Sequence, residues 1–318
     1  MANNLKSTVR LTHRNPKRPI KGLPASVELA DDATVEDAKI LIARQAGVKD
    51  FNRIGLYDAV SKETLKNRKA RVRDEAGVAK TAELVVKDLG PQIAWRTVYL
   101  VEYFGPILFH LLIPLIRPYI YVVAPFAYKD EIETPLTRVQ WLLFGLFHLH
   151  YLKREYETAF VHKFSANTMP ARNIVRNSAF YWLIGGLLCA LDVYAPNSLA
   201  ARDALSPLDC VGLALYAAGE AGNWAVHRHL ASLRRPGGTE RAIPNCVGSS
   251  LVTSPNYMFE VVAWTGVILI SRSWTVVVFI CAGTYFMRAW SRDKERALRN
   301  AFGDRYKKKR YTMLPGLI

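Results

Sequence analysis

Three groups of polar side chains stand inside apolar stretches of this sequence. Glu102 lies in residues 98–106, a run with no other charge, and the nearest preceding charge is Arg96. Asn223 and His227 lie four residues apart, and so do Asn256 and Glu260, with Tyr257 following Asn256. On a helix that spacing puts both side chains of a pair on one face. An ionisable group at the centre of an apolar span costs about 2.5–3.5 kcal/mol on insertion scales, so it normally faces a cavity or a partner. Two helices that each offer such a pair can line one cavity and hold a polar ligand by hydrogen bonds. Each group also has a structural reading. Glu102 can reach interfacial water, Asn223 can be interhelical glue worth ~0.6 kcal/mol, and Tyr257 can belong to an interfacial aromatic belt. The six-residue gap to Arg96 favours the functional reading for Glu102.

Other chemistries find little support. Cys189, Cys210, Cys246 and Cys281 are scattered singly, against a disulfide framework or a structural zinc site. His110, His148, His150 and His162 form no HExxH-type pattern and read as interfacial or hydrogen-bonded structural residues; no metal is expected. No GxGxxG occurs, so a soluble Rossmann site is not indicated.

The positioning elements follow from composition. The 318 residues are 50% hydrophobic yet carry a net charge of +16, and the two properties separate along the chain. Residues 1–90 hold 18 Lys/Arg and 12 Asp/Glu with no long apolar stretch, and the remaining 25 basic and 15 acidic residues flank long apolar runs. The basic groups are Lys153-Arg154, Lys163, Arg172, Arg176, Arg234-Arg235, Arg241 and the tail 288–310. Flanking charge of this kind marks the cytoplasmic ends of membrane helices rather than a nucleic-acid surface. Residues 1–24 are basic but lack the apolar core of a secretory signal, so the N-terminus is expected in the cytosol.

Residues 5–11 alternate like a strand, a Pro/Gly turn falls at 19–24, and 26–29 resume a strand. Thr34 is the expected N-cap of a helix over 35–45, with Asp37 three residues on and Gly47 as its stop. Short β-rich runs follow at 53–57 and 82–86, an order similar to the ubiquitin-like β-grasp. The expected architecture is therefore a small α+β ubiquitin-like domain at 1–88 and an α-helical polytopic membrane domain at 89–318. Six or seven spans are expected, at 98–116, a possible second passage at 119–128, 136–151, 178–193, 208–226, 251–270 and 274–290, several short for a core of about 30 Å.

The runs 89–106, 150–165, 168–174 and Ser254-Pro-Asn-Tyr-Met-Phe-Glu-Val resemble the very-long-chain trans-2-enoyl-CoA reductases of the steroid 5α-reductase superfamily. The resemblance covers nearly the whole chain and implies a ubiquitin-like domain before a multi-pass membrane domain in the endoplasmic reticulum. It implies NADPH-dependent reduction of the 2,3 double bond of a long-chain trans-2-enoyl-CoA, the last step of each fatty-acid elongation round, in company with other elongation enzymes. Hydride then goes to C3, charge builds on the thioester oxygen, and a proton goes to C2, so an oxygen-facing donor and a positioned acid are required.

By the same resemblance Tyr257 is the proton donor, and Gln92, Glu102 and Lys153 match the family's other catalytic positions. A protonated Glu102 can donate to the carbonyl; Lys153 can tune Tyr257 or bind phosphate, and the sequence does not choose. Cofactor contacts carried over from the superfamily fall on Asn223, Asn256 and Glu260, with His227 on the helix of Asn223, Arg234 and Arg235 for phosphate, and Arg288 and Arg292 as added charge. The family's C-terminal His-x-x-Tyr appears here as Glu295-Arg-Ala-Leu298, a departure. The alternatives are 5α-reductase-type reduction of a sterol or polyprenol enone, or a membrane-anchored ubiquitin-like adaptor. The adaptor leaves the polar residues inside the spans without a reason.

Overall fold

The computed structural model describes residues 6–122, 135–164, 167–234 and 242–317. They divide into two compact units, residues 1–97 with 163–173 and residues 98–162 with 174–234 and the part beyond 241.

In the first unit β1 (Lys6–His13) and β2 (Ser26–Ala30) form an antiparallel hairpin with Val9 opposite Val27. Then α1 (Val35–Gln45) starts at a capping box, in which Thr34 Oγ1 accepts from the Asp37 amide at 3.2 Å and Asp37 Oδ2 accepts from the Thr34 amide at 2.9 Å. Past its end Gly47 takes φ +67°, a left-handed conformation suited to glycine. β3 (Ile54–Asp58), α2 (Ala76–Thr81) and β4 (Glu83–Asp88) complete a four-stranded sheet of order β2-β1-β4-β3, in which β1 and β4 run parallel. Inward residues of the strands close over the Val35, Ala38 and Ile42 stripe of α1. β5 (Gln92–Ala94) pairs with β6 (Thr168–Pro170), setting Gln92 opposite Pro170. Three-residue strands carry too little alternation for this pairing to be read from the sequence.

Asp58 organises the turns of this unit. Its carboxylate accepts three backbone N–H bonds at 2.8 Å, from Val60, Ser61 and Gly77. The Ser61 amide, followed by the other two, holds the carboxyl below its ordinary range. A Cβ at Gly77 would lie 2.1 Å from that carboxylate, so the bond requires glycine there. A depressed carboxylate contributes stability that is full above its unfolded pKa near 4 and is lost as pH falls through the folded value. Asp58→Asn should therefore cost about 1.5–3 kcal/mol at neutral pH and flatten the acid side of the curve. Hydrogen exchange of β4 amides in the full chain at neutral and acid pH measures both, and an unchanged acid slope would remove Asp58 from this role.

The second unit is helical. α3 (Trp95–Ile120) is followed by α4 (Arg138–Tyr156), which continues as a π-turn over Glu157–Val161. α5 (Asn173–Ala179) runs through a π-helical stretch, Phe180–Leu188, into α6 (Cys189–Val193); α7 (Pro207–Ser232), α8 (Pro255–Ser271) and α9 (Trp274–Phe302) complete it. Among the described residues two helices, Trp95–Ile120 and Asn173–Val193, are long and apolar enough to cross a membrane. The possible passage at 119–128 runs out of the described residues, and Arg235 and Arg241 lie outside them.

Small residues let α7 and α8 approach closely. A Cβ on Gly219 would come within 2.4 Å of the Ala263 amide nitrogen, and one on Gly266 within 2.3 Å of the Gly212 carbonyl. Such a seam brings backbones together without needing polar glue. Its consequence is local: polar side chains farther along α7 and α8 can bond directly.

Candidate active site

At one end of the α7–α8 seam the two polar pairs meet. Asn223 Nδ2 donates to Glu260 Oε2 at 3.0 Å and to the Asn256 carbonyl at 3.0 Å. Asn223, Glu260 and the Asn256 backbone therefore lie in one hydrogen-bonded cluster, whereas His227 makes its contacts elsewhere. Glu260 also accepts from Trp264 Nε1 at 3.3 Å. The Asn256 Oδ1 atom is buried and has no partner among the described residues.

α4 supplies the cations. Lys153 Nζ donates to Glu220 Oε2 and to Asn223 Oδ1, both at 2.7 Å. His150 Nδ1 donates to the other Glu220 oxygen at 2.6 Å, and its Nε2 stands 3.4 Å from Glu260 Oε1. Lys153 is thus engaged by side chains of α7, an arrangement that orients Asn223 and, through it, Glu260. Arg154 sits beside it, donating to Glu157 Oε2 at 2.7 Å and to the Tyr103 hydroxyl at 2.8 Å.

His227 joins this second cluster. Its Nδ1 stands 3.0 Å from Glu157 Oε1 and 3.1 Å from Arg154 Nη1, and its ring meets His162 edge-on. Arg154 can only donate and the carboxylate can only accept, so a proton on Nδ1 serves Glu157 and a bare Nδ1 serves Arg154. Glu157, His162 and His227 are metal-ligating types within reach of one another. However, Arg154 and Lys153, the latter 3.7 Å from Glu157 Oε1, already neutralise that carboxylate. An ion-pair network is the better description of it.

The remaining expected site residues are placed differently. Glu102 is 2% exposed on α3 with Asn177 near its side chain, and its Oε1 has no partner among the described residues. Tyr257 is half-buried at the start of α8, with Tyr99, Arg154 and Glu260 within electrostatic reach. Among the described residues no hydrogen bond engages its hydroxyl. Gln92 belongs to the first unit, where its amide donates to the carbonyls of Leu89, Gly90 and Pro91 at 3.1–3.4 Å. Arg234 follows the end of α7 with Lys294 near it, and Arg288 is exposed on α9.

Glu295, where the family's histidine was expected, is buried and accepts from Thr253 and from the Tyr306 hydroxyl at 2.6 Å. A tyrosine does reach this position, from eleven residues downstream rather than three. The segment after Tyr306 then returns to the start of α8, where Val252 bridges Tyr311 and the Ser254 amide donates to the Thr312 carbonyl at 2.9 Å.

Comparison with known proteins fixes the family. The family described as 3-oxo-5-alpha-steroid 4-dehydrogenase matches residues 167–318. A Schizosaccharomyces pombe protein named as an enoyl reductase is 34% identical over 94% of this chain and 96% of its own length. The very-long-chain enoyl-CoA reductase of Dictyostelium discoideum is 34% identical over 76% of each chain. The chain belongs to the very-long-chain enoyl-CoA reductase family. A third relative, from Trypanosoma brucei and named as an enoyl-CoA reductase, is 37% identical over 71% of this chain.

As an enoyl-CoA reductase family member the chain is an oxidoreductase acting on CH–CH groups, and a nicotinamide cofactor fits its donor set. The NH2 of a carboxamide offers two donors, and the cluster has acceptors for them in the open Asn256 Oδ1 and the Glu260 carboxylate. The two apolar helices and the reductase family together point to membrane association. Glu220 and Glu157 were not picked out from the sequence, His150 read as an interfacial or hydrogen-bonded structural residue, and Arg154 as a topology signal. Glu220 stands one turn from Asn223 on the same face, which was the available signal.

Proposed function

We propose that this protein reduces the 2,3 double bond of long-chain trans-2-enoyl-CoA with NADPH, the last step of a fatty-acid elongation round. The reading rests on one observation. A cluster joins α4, α7 and α8 through Lys153, Asn223 and Glu260, with Tyr257 near Glu260 and making no hydroxyl hydrogen bond among the described residues, while Glu102 on α3 keeps a buried oxygen without a partner among them.

NADPH, when bound, would supply hydride chemistry at C3 of the substrate. Asn223, Asn256 and Glu260 would hold the nicotinamide carboxamide, with Asn223 oriented by Lys153. Protonated Glu102 donates to the thioester oxygen, where negative charge develops. Tyr257 gives its proton to C2, and solvent restores it. His227 keeps Arg154 and Glu157 in register, and Arg234 and Arg288 offer guanidinium groups to cofactor phosphates. Gln92 enters through the turn its amide holds, ahead of the helix that carries Glu102.

The same reading assigns residues 1–88 to a ubiquitin-like module, which the sheet order and the helix crossing after the first hairpin support. Six or seven spans in the endoplasmic reticulum membrane are proposed for 89–318, with the active-site mouth and the N-terminal module in the cytosol beside other elongation enzymes. Exposed Trp274 and Trp290 support a membrane passage for α9. They stand sixteen residues apart, about 24 Å of helix against a core of about 30 Å.

The test is the reaction itself. Purified full-length protein should oxidise NADPH in proportion to added long-chain trans-2-enoyl-CoA, yield the saturated acyl-CoA, and leave a sterol enone unchanged. NADPH loss with the sterol enone alone would transfer the assignment to 5α-reduction.

A further inference from the structure

Toward its C-terminal end α9 changes character. Tyr285, Phe286 and Trp290 are exposed, the aromatic types that settle at a membrane interface. From the same level Arg288, Arg292, Arg296 and Arg299 are exposed at intervals of three and four residues, and so form one stripe. After the turn at Gly303 the chain exposes Arg305, Lys307, Lys308 and Arg310. Between residues 288 and 310 ten Lys/Arg face three acids, Asp293, Glu295 and Asp304. Asp293 pairs with Arg296, and Glu295 is buried under Thr253 and Tyr306. A surplus of positive charge remains on the surface.

These charges are held in place. Tyr306 is 6% exposed and bonded to Glu295, Tyr311 bridges Val252, and Met313 is fully buried, so the basic loop is pinned on both sides. A fixed array loses less conformational freedom on binding than a loose tail. Guanidinium groups match phosphate oxygens bidentately, and lysines add point charge.

We propose that this face of α9, together with the 305–310 loop, binds the phosphate-bearing headgroups of anionic phospholipids at the membrane surface. Continuity with the aromatic band favours lipid over a soluble polyanion. The stripe begins among Tyr285, Phe286 and Trp290 and runs about 16 Å from Arg288 to Arg299, so its first members stand within a Debye length of about 8–10 Å of an interface at that band.

Native mass spectrometry of the full-length protein, carried in micelles with equal phosphatidylserine and phosphatidylcholine, tests this. Wild type should retain phosphatidylserine about tenfold over phosphatidylcholine, and the preference should shrink toward parity as salt rises from about 0.05 to about 0.5 M. R292Q/R296Q/R299Q and K307Q/K308Q/R310Q should each lose most of it while keeping wild-type elution and helix content. The salt series needs no variant, so the proposal stays testable if one misfolds. Equal retention of both lipids by wild type would overturn it, as would a preference unmoved by salt and by both variants. Displacement of phosphatidylserine by equimolar free CoA would also overturn it, giving the surface to a soluble polyanion.

Discussion

Tyr257→Phe folds, and it reduces enoyl-CoA about 10²–10⁴ times more slowly than the wild-type chain. Two observations separate its chemical role from its structural one. The ring packs at the start of α8 with Trp290 6.4 Å away, a contact phenylalanine keeps. The hydroxyl has no hydrogen-bond partner among the described residues, so removing it leaves no buried group unsatisfied. Stability should therefore stay within about 0.5 kcal/mol of wild type. If Tyr257 gives its proton in the transition state alone, the loss appears in kcat and equally in kcat/KM, with KM little changed. A rise in KM at constant kcat would instead make it a binding residue, and full turnover would remove it from the mechanism. Glu102→Gln is the informative companion because the amide still donates a hydrogen bond but carries no proton to share. A smaller loss there than at Tyr257 divides oxygen stabilisation from proton delivery.

Legibility differed with the range of the signal. The helix at 35–45 was readable to its last residue because Thr34, Asp37 and Gly47 act within one turn of its ends. The i,i+4 pairs on α7 and α8 were readable as shared faces because helix geometry fixes them. Their meeting was not, since it depends on glycines 212, 219 and 266 allowing close approach at one register. Glu157 looks in the sequence like an ordinary acid beside Lys153-Arg154, and Glu220 stands inside the apolar run 208–226 one turn from Asn223. Only the meeting of α4 side chains with α7, and of the π-turn after α4 with α7, turns them into buried counter-ions. The departure at Glu295 has the same origin. A motif read in sequence order expects its tyrosine three residues on, whereas the tail brings Tyr306 back through space to the same carboxylate.

The largest stability effect is expected at Glu157, and burial is the reason. Its carboxylate is fully buried; one oxygen takes Arg154 at 2.7 Å, and the other stands 3.0 Å from His227 and 3.7 Å from Lys153. Glu157→Ala leaves Arg154 with only neutral close partners among the described residues, the Tyr103 hydroxyl and a bare His227 Nδ1, an uncompensated charge in a site with little water. Breaking one side of such a pair costs about 3–5 kcal/mol, a drop in the unfolding midpoint of roughly 10 °C for a unit of this size. The exposed pair Arg296–Asp293 provides the contrast, because both side chains are mostly in solvent and Asp293→Ala should change stability by less than about 1 kcal/mol. The double replacement Arg154→Met with Glu157→Leu removes both charges and fills their volume, so it should recover most of the loss. Thermal unfolding of the four proteins in one neutral detergent measures the whole series. Equal small losses at Glu157 and Asp293 would mean that water reaches Arg154, and failure of the double replacement to recover would mean that specific hydrogen bonds rather than charge burial set the cost.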